Sequence, residues 1–397
     1  MRIAYICADQ GIPVFGRKGC SIHVQEVVRA MVRAGISVDL FTPRPEGPVP
    51  PGLESVRVRL LPAATERHPA NREQSAFAAN AYLRLALDLN GPFDIVYERY
   101  SLWSHEGMDY AQSLRVPGLL EVNAPLIDEQ AIHRVLVDRS RAEWVAHRVF
   151  GNAAALLAVS AEVAAYLRTF PDAAGRTHII PNGVDPSRFP EGLRPSRPAE
   201  PGTFTVGFVG TLKPWHGLRS LIRAFDRLHA AEPATRLLIV GDGPDRSVLE
   251  AELTERGLTD ATVLTGSVAP EEVPGLLASM DAAVAPYQNS GRFYFSPLKV
   301  YEYMAAGRAV VASRLGELDR LIEHSISGLL CEPGDFEGLA NALLRLRRDP
   351  ALRERLGRSA RAAIGRTHTW DETVSRILRL AKASARRKPV AAVGAAS

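Results

Sequence analysis

Cysteine is scarce: Cys7, Cys20 and Cys331 are the three in 397 residues. They are too few and too scattered for a disulfide scaffold or a Cys-rich zinc site. No apolar run reaches the ~18 residues that a membrane-spanning helix needs. The opening MRIAYICAD reads as a strand, not as a secretory leader. A soluble, reduced, cytoplasmic protein is the expectation. An excess of one charge is missing too. Net charge is +4, and residues 1–190 balance 20 Lys and Arg against 20 Asp and Glu. The excess lies in the second half, 28 bases against 24 acids, and six of those bases (Arg376, Arg379, Lys382, Arg386, Arg387, Lys388) share one acid-free stretch near the end. Such a run reads as a solvated, frayed terminus. A body without net basicity carries no nucleic-acid footprint. No two aspartates are spaced as DxD, the ten histidines form no HExxH, and neither GxSxG nor GxxxxGK[ST] occurs. Metal-dependent, hydrolase and ATPase chemistry lose their usual signatures, and neither a metal nor a cofactor is expected.

What is present is alternation. The length suits two cores of roughly 180 residues, and the 46% apolar and 23% charged composition is that of a folded chain. Arg2–Ala8 reads as a buried strand, His23–Ala34 as a helix ended by Gly35, and Ser37–Phe41 as the next strand. Further strands are read at Val56–Leu60, Asp94–Tyr97, Leu119–Val122 and Ala155–Ser160. Residues 190–202 then carry four prolines and two glycines, which excludes a helix or central strand and marks a linker. Alternation restarts with strand Thr205–Val209 and helix Leu218–Ala230, and runs to helix Pro297–Ala306 and strand Ala309–Ala312. The expected fold is α/β, two doubly wound Rossmann-like domains (1–190 and 203–366, linker 191–202) facing a cleft, with ligands beyond the carboxyl ends of the strands.

Two glycine loops sit where anions could bind. Gly16-Arg-Lys-Gly19 precedes the first helix, and Gly241-Asp-Gly-Pro244 follows the strand LLIV. Neither is the GxGxxG fingerprint, which disfavours a nicotinamide dehydrogenase. The most informative segment is Phe293-Tyr-Phe-Ser-Pro-Leu-Lys-Val-Tyr-Glu302-Tyr-Met-Ala-Ala-Gly307. A helix N-terminus at Ser296, Pro297 and Leu298, with Lys299 beside it, suits a phosphate. Glu302 stands in an apolar helix, where an unpaired carboxylate is costly, and its reach suits a ribose diol.

Together with Gly210-Thr-Leu-Lys213-Pro-Trp-His216-Gly217 and Ile180-Pro-Asn-Gly-Val-Asp185, these segments resemble a retaining glycosyltransferase of family four, with the GT-B fold. The resemblance covers nearly the whole chain, in order. It implies an N-terminal acceptor domain, a C-terminal domain for a UDP- or GDP-sugar, and metal-independent transfer with retained anomeric configuration. It further implies a last helix (367–385) crossing back to the first domain, with 386–397 as a flexible tail. The implied donor-binding residues are Gly19, Gly210, Thr211, His216, Gly241, Ser267, Ser296, Pro297, Leu298 and Glu302; Lys213, Lys299, Asn123 and Arg99 are the catalytic candidates. The acceptor is expected against Glu98, Arg99, Asn123 or His105. The sequence departs from the family at three places: Tyr294 stands where a first glutamate is common, Thr211 and His216 replace an Arg and a Lys, and Asn123 replaces a His.

A non-hydrolysing nucleotide-sugar epimerase, using Glu98, Glu121 and His105, and a nucleotide-sugar-binding protein that has lost catalysis stay open as alternatives. A small soluble acceptor is favoured over a glycan or lipid carrier. The helix read at Asn71–Leu89 sets Arg72 and Arg84 against Glu73 and Asp88, so it offers anionic lipid no net charge.

Overall fold

The computed structural model describes residues 1–289, 291 and 293–386. Arg292, Arg387, Lys388 and the rest of the expected tail lie outside the described residues. Two compact units divide the chain: one takes most of Met1–Ile180 and the chain from Thr373, the other Pro181–Glu372.

In the first unit, runs without polar alternation become central parallel strands, because helices cover both faces. The elements are β1 (Arg2–Ile6), α1 (Gly19–Arg33), β2 (Ser37–Thr42), β3 (Arg57–Leu60), α2 (Pro69–Asn90), β4 (Ile95–Arg99), α3 (Glu106–Leu114), β5 (Gly118–Val122), α4 (Leu126–His133), α5 (Arg139–Asn152), β6 (Ala155–Ala158), α6 (Ala161–Leu167) and β7 (Thr177–Ile179). The sheet order is β3-β2-β1-β4-β5-β6-β7. β1 pairs in parallel with β2 (Ile3 opposite Val38) and with β4 (Ile3 opposite Ile95). Strand order therefore reverses between β1 and β4, and the loops after those strands diverge there. α1 opens at Gly19, four residues before the apolar spacing indicates, and Gly35 at φ +75° follows its end.

The second unit repeats the plan with β8 (Phe204–Val209), α7 (Leu218–Ala231), β9 (Thr235–Val240), α8 (Arg246–Glu255), β10 (Thr262–Leu264), α9 (Val273–Ala278), β11 (Ala282–Ala285), α10 (Leu298–Ala305), β12 (Ala309–Ser313), α11 (Gly316–Leu321), β13 (Leu329–Cys331), α12 (Phe336–Arg348) and α13 (Pro350–Thr367). Its order is β10-β9-β8-β11-β12-β13, reversing between β8 and β11. Leu218, Leu221, Ile222, Phe225 and Leu228 lie on one helical face of α7 and pack with Phe204, Val206 and Phe208 in one core layer. Tyr301, Tyr303 and Met304 of α10 pack with Val209, Leu238 and Ala283 in another. Pro297 is the extended residue before α10 (φ −78°, ψ 106°), so Leu298, not Pro297, opens the helix. The stretch 190–202 has neither helix nor strand. Ser196 N–H donates to the Gly275 carbonyl at 3.0 Å and Arg197 N–H to Ser279 Oγ at 3.0 Å, which anchors that stretch to its own unit. The last helix is α14 (Trp370–Arg386). No helix among the described residues is long and apolar enough to cross a membrane.

Candidate active site

At the strand-order reversal of the second unit, glycines let three loops touch backbone to backbone. Gly210 (φ +143°), Gly217 (φ +70°) and Gly241 (φ +140°) adopt conformations that other residues resist. A Cβ on Gly241 would stand 2.0 Å from the Gly210 carbonyl oxygen, and one on Gly217 would stand 1.7 Å from that of Pro286. At Gly210 the intruder would be Lys299, whose Nζ lies 2.7 Å from the Cβ position.

Lys299 is the unusual group. Its Nζ is buried and has no hydrogen-bond partner among the described residues. Aromatic faces stand in for oxygens: the ammonium lies 4.0 Å from the Phe208 ring centroid and 5.4 Å from that of Tyr287. Burial lowers its pKa to about 7, and the Glu302 charge offsets only part of that. His216 does not add a second cation. Burial, then Lys299, lowers its pKa to about 3, and its Nδ1 pairs with the Thr211 carbonyl at 2.5 Å. Lys213, a catalytic candidate, holds its ammonium 4.8 Å from the Trp215 ring centroid. Thr211 and Ser267 are exposed, and Ser267 follows the Gly241–Gly266 bridge.

Glu302 is paired. Arg188 Nη1 donates to its Oε1 at 2.9 Å, and Arg188 Nη2 donates to the Pro270 carbonyl at 2.7 Å. The Ser296 hydroxyl, expected at the phosphate, is engaged within the protein: it accepts from Asn182 N–H at 3.2 Å and lies 3.1 Å from the Tyr301 hydroxyl. Leu298 N–H opens an α10 that has no side-chain cap. Tyr294, where the family has a first glutamate, lies against Phe295 with ring centroids 4.5 Å apart.

At the corresponding edge of the first unit, a carboxylate is the centre. Glu121 on β5 lies 2.9 Å from His23 Nε2 and accepts from Arg99 Nη1 at 2.7 Å; the Tyr97 hydroxyl and Asn123 Nδ2 also donate to it. Burial alone would raise its pKa, but His23, Arg99 and Tyr97 outweigh that and hold it well below the usual carboxylate range. Arg99 and Asn123 are thus brought together, as ligands of Glu121. Glu98 is wholly buried, pushed up to about 7 by burial, and accepts from Ser104 Oγ at 2.5 Å. His105 pairs with Asp109, which also takes Arg148 at 2.7 Å and Asn152 at 2.6 Å. Gly19 has nothing within 4 Å of its Cβ position.

A cavity of about 450 Å³ opens beside this cluster, lined wholly from the first unit. Its walls include Asp9, Arg72, Ala79, Trp103, Glu129 and Arg134, from the loops after β1 and β4 and from α2 and α4. Glu98, Arg99, His105 and Asn123, the expected acceptor contacts, do not line it. The first three point into packed polar networks instead. Arg188, Asn182 and the cavity walls escape sequence reasoning: Asn182 lies in a recognisable motif, but nothing local marks Arg188 as a partner of Glu302.

Two α/β units with parallel sheets, a cation-bearing edge in one and a cavity in the other, form the framework of a GT-B glycosyltransferase. Residues 17–188 match the family described as Glycosyltransferase Family 4, and residues 203–349 match Glycosyl transferases group 1. The chain belongs to this glycosyltransferase family. It is 28% identical to a glycogen synthase of Mycobacterium tuberculosis, over 93% of this chain and 92% of that one. It is 26% identical to a D-inositol 3-phosphate glycosyltransferase of Saccharomonospora viridis, over 91% and 88%. The Anabaena protein HepE, solved with UDP and glucose, superposes with a TM-score of 0.69 at 20% identity, over 96% of this chain and 100% of that one.

Proposed function

We propose that this enzyme moves a sugar from a UDP- or GDP-sugar to a small soluble acceptor, with retention of configuration, without a metal, and in the cytoplasm. The observation that carries the reading is Lys299, a buried ammonium without a hydrogen-bond partner among the described residues. Such a group is costly unless an anion completes it. As the glycosidic bond to the diphosphate breaks, negative charge grows on the leaving phosphate, and a desolvated fixed cation stabilises that charge more than it stabilises the ground state. Lys299 and the open N-terminus of α10 supply what a divalent cation would otherwise bring.

Glu302 takes the ribose diol. It is ion-paired with Arg188, which suits binding rather than attack on the anomeric carbon. A same-face transfer, in which the leaving phosphate accepts the acceptor's proton, fits that division of labour. The acceptor sits in the cavity of the first unit, whose volume suits a molecule of one or two sugar rings. The relative named for D-inositol 3-phosphate and the neighbour solved with UDP and glucose are consistent with a small acceptor and a uridine donor. All three cysteines are unpaired, as in a reducing compartment.

The test is a panel of UDP- and GDP-sugars, each incubated with and without small polyol and glycoside acceptors. Acceptor-dependent release of nucleoside diphosphate, with the anomeric configuration preserved by NMR, is the expected result. Binding without release would point to a lapsed enzyme, and an epimerised donor would point to the epimerase.

A further inference from the structure

The segment Pro181–Phe189 meets α10 and the residues leading into it at two points. Asn182 Nδ2 donates to the Ser296 carbonyl at 2.5 Å, and Arg188 Nη1 to Glu302 Oε1 at 2.9 Å; both pairs span 114 positions. The segment is fixed on its other side as well. Val184 N–H donates to the His368 carbonyl at 2.9 Å, and Trp370 N–H to the Val184 carbonyl at 3.2 Å. Gly183 is needed there, because a Cβ would stand 2.6 Å from Trp370 N. Arg188 therefore approaches α10 from a backbone with little freedom to move.

Its guanidinium makes two hydrogen bonds, to different elements. One nitrogen holds Glu302 on α10, and the other holds the Pro270 carbonyl in the loop after β10. The pair is part-buried, with side chains 22% and 17% exposed, so solvent screens it less than a surface pair. A planar guanidinium fixes direction as well as charge, which a lysine ammonium does not. The loop it holds is the one that carries Gly266, bridged to Gly241, and the exposed Ser267.

We propose that Arg188 is a positioning residue for the donor's nucleoside: it orients the Glu302 carboxylate toward the ribose hydroxyls and pins the 266–270 loop beside it, so that the site selects ribonucleotides over deoxy analogues. This rests on the reading that Glu302 binds the ribose. Arg188 touches no substrate. It acts through the carboxylate and the loop.

Calorimetry with UDP, 2′-deoxy-UDP and 3′-deoxy-UDP, or the guanosine series if that base binds, tests it on the full chain. Wild type should favour the ribonucleotide roughly 10- to 100-fold, the worth of a hydrogen bond to a charged group. Arg188→Gln should bring that ratio to within about threefold, chiefly by weakening the ribonucleotide, with Arg188→Lys between the two. Adding Glu302→Gln to Arg188→Gln should change the ratio no further, because the two act as one unit. If Arg188→Gln weakened all three nucleotides equally and left the ratio intact, its role would be structural only and the proposal would be overturned. Should Arg188→Gln fail to fold, the same ratio in Arg188→Lys decides. A wild type that did not discriminate would sink the ribose reading of Glu302 and the proposal with it. Discrimination that survived Arg188→Gln but not Glu302→Gln would sink the proposal alone.

Discussion

The two units share one plan, a parallel sheet whose strand order reverses at its centre, yet they treat a buried charge at that reversal in opposite ways. In the first unit, Glu121 is surrounded by His23, Arg99, Tyr97 and Asn123. In the second, Lys299 has two ring faces and, among the described residues, no hydrogen-bond partner. A charge whose partners are all internal holds a structure together; a charge without a partner awaits a ligand. On the function proposed above, rearranging the first should cost stability, whereas removing the second should cost function. The difference separates two sets of residues that sequence reasoning put together as one catalytic group.

The largest effect should come from emptying the first centre. Glu121→Ala leaves Arg99 and the His23 ring buried without their counter-ion, which should cost about 3–5 kcal/mol in denaturant unfolding. Glu121 has a folded pKa far below its unfolded value. Its contribution is therefore present in full above the unfolded pKa and is lost progressively as pH falls from there toward the folded pKa. A loss under about 1 kcal/mol would show that the cluster does not hold the sheet edge.

Lys299→Met should do the reverse. Turnover should fall by about 10²–10³, as when one transition-state donor is removed, while the free enzyme gains thermal stability. The folded pKa of Lys299 is about 7, below its unfolded value of 10.5, so the folded state pays for burying the charge throughout neutral and acid pH. That cost is full below pH 7 and fades as pH rises toward the unfolded pKa. The stability gained by the methionine variant should shrink over the same range. A variant that melts below wild type at pH 6–7 would contradict the picture of an unsatisfied charge.

Nucleotide affinity should carry the same signature at smaller size. If the bound diphosphate needs the protonated ammonium, wild-type affinity should fall by up to about tenfold per pH unit above pH 7. Lys299→Arg, always charged, should remove that slope even if it binds less well. An equally steep slope in the arginine variant would assign the titration to another group.

How much of this was legible in the sequence depends on how local each signal was. The strands IVYER, ALLA and FTVGFV are buried along their whole length and RIAYI is buried from Ile3 on, so they lie where apolar composition marks a strand. β7 and β13 are three residues each at sheet edges, and neither is long enough for a periodic signal. Glu302 stood out because a charge in an apolar helix needs a reason, and Lys299 because it stands beside a helix N-terminus. Glu98, Arg99 and His105 were marked as polar residues at or after strand ends but are engaged with their neighbours, and residue type alone does not distinguish a satisfied charge from a waiting one. Arg188 had no mark, since its partner lies 114 positions away and only the fold brings them together.

The smallest effect tests whether the cavity in the first unit does the work assigned to it. Ala79 lines that cavity from α2. Ala79→Leu keeps a strong helix former, so α2 should persist with little loss of stability. The added methylenes project into open volume rather than into a packed core, which avoids the usual cost of overpacking. They narrow the space available to an acceptor. Its KM should rise about three- to tenfold, equivalent to ~1 kcal/mol, with the nucleotide Kd unchanged because Lys299 and Glu302, the groups proposed to hold the donor, lie in the other unit. Equal weakening of donor and acceptor would mean that the substitution perturbs the fold. An unchanged acceptor KM would move the acceptor out of this cavity and leave the comparison between the two units resting on the charges alone.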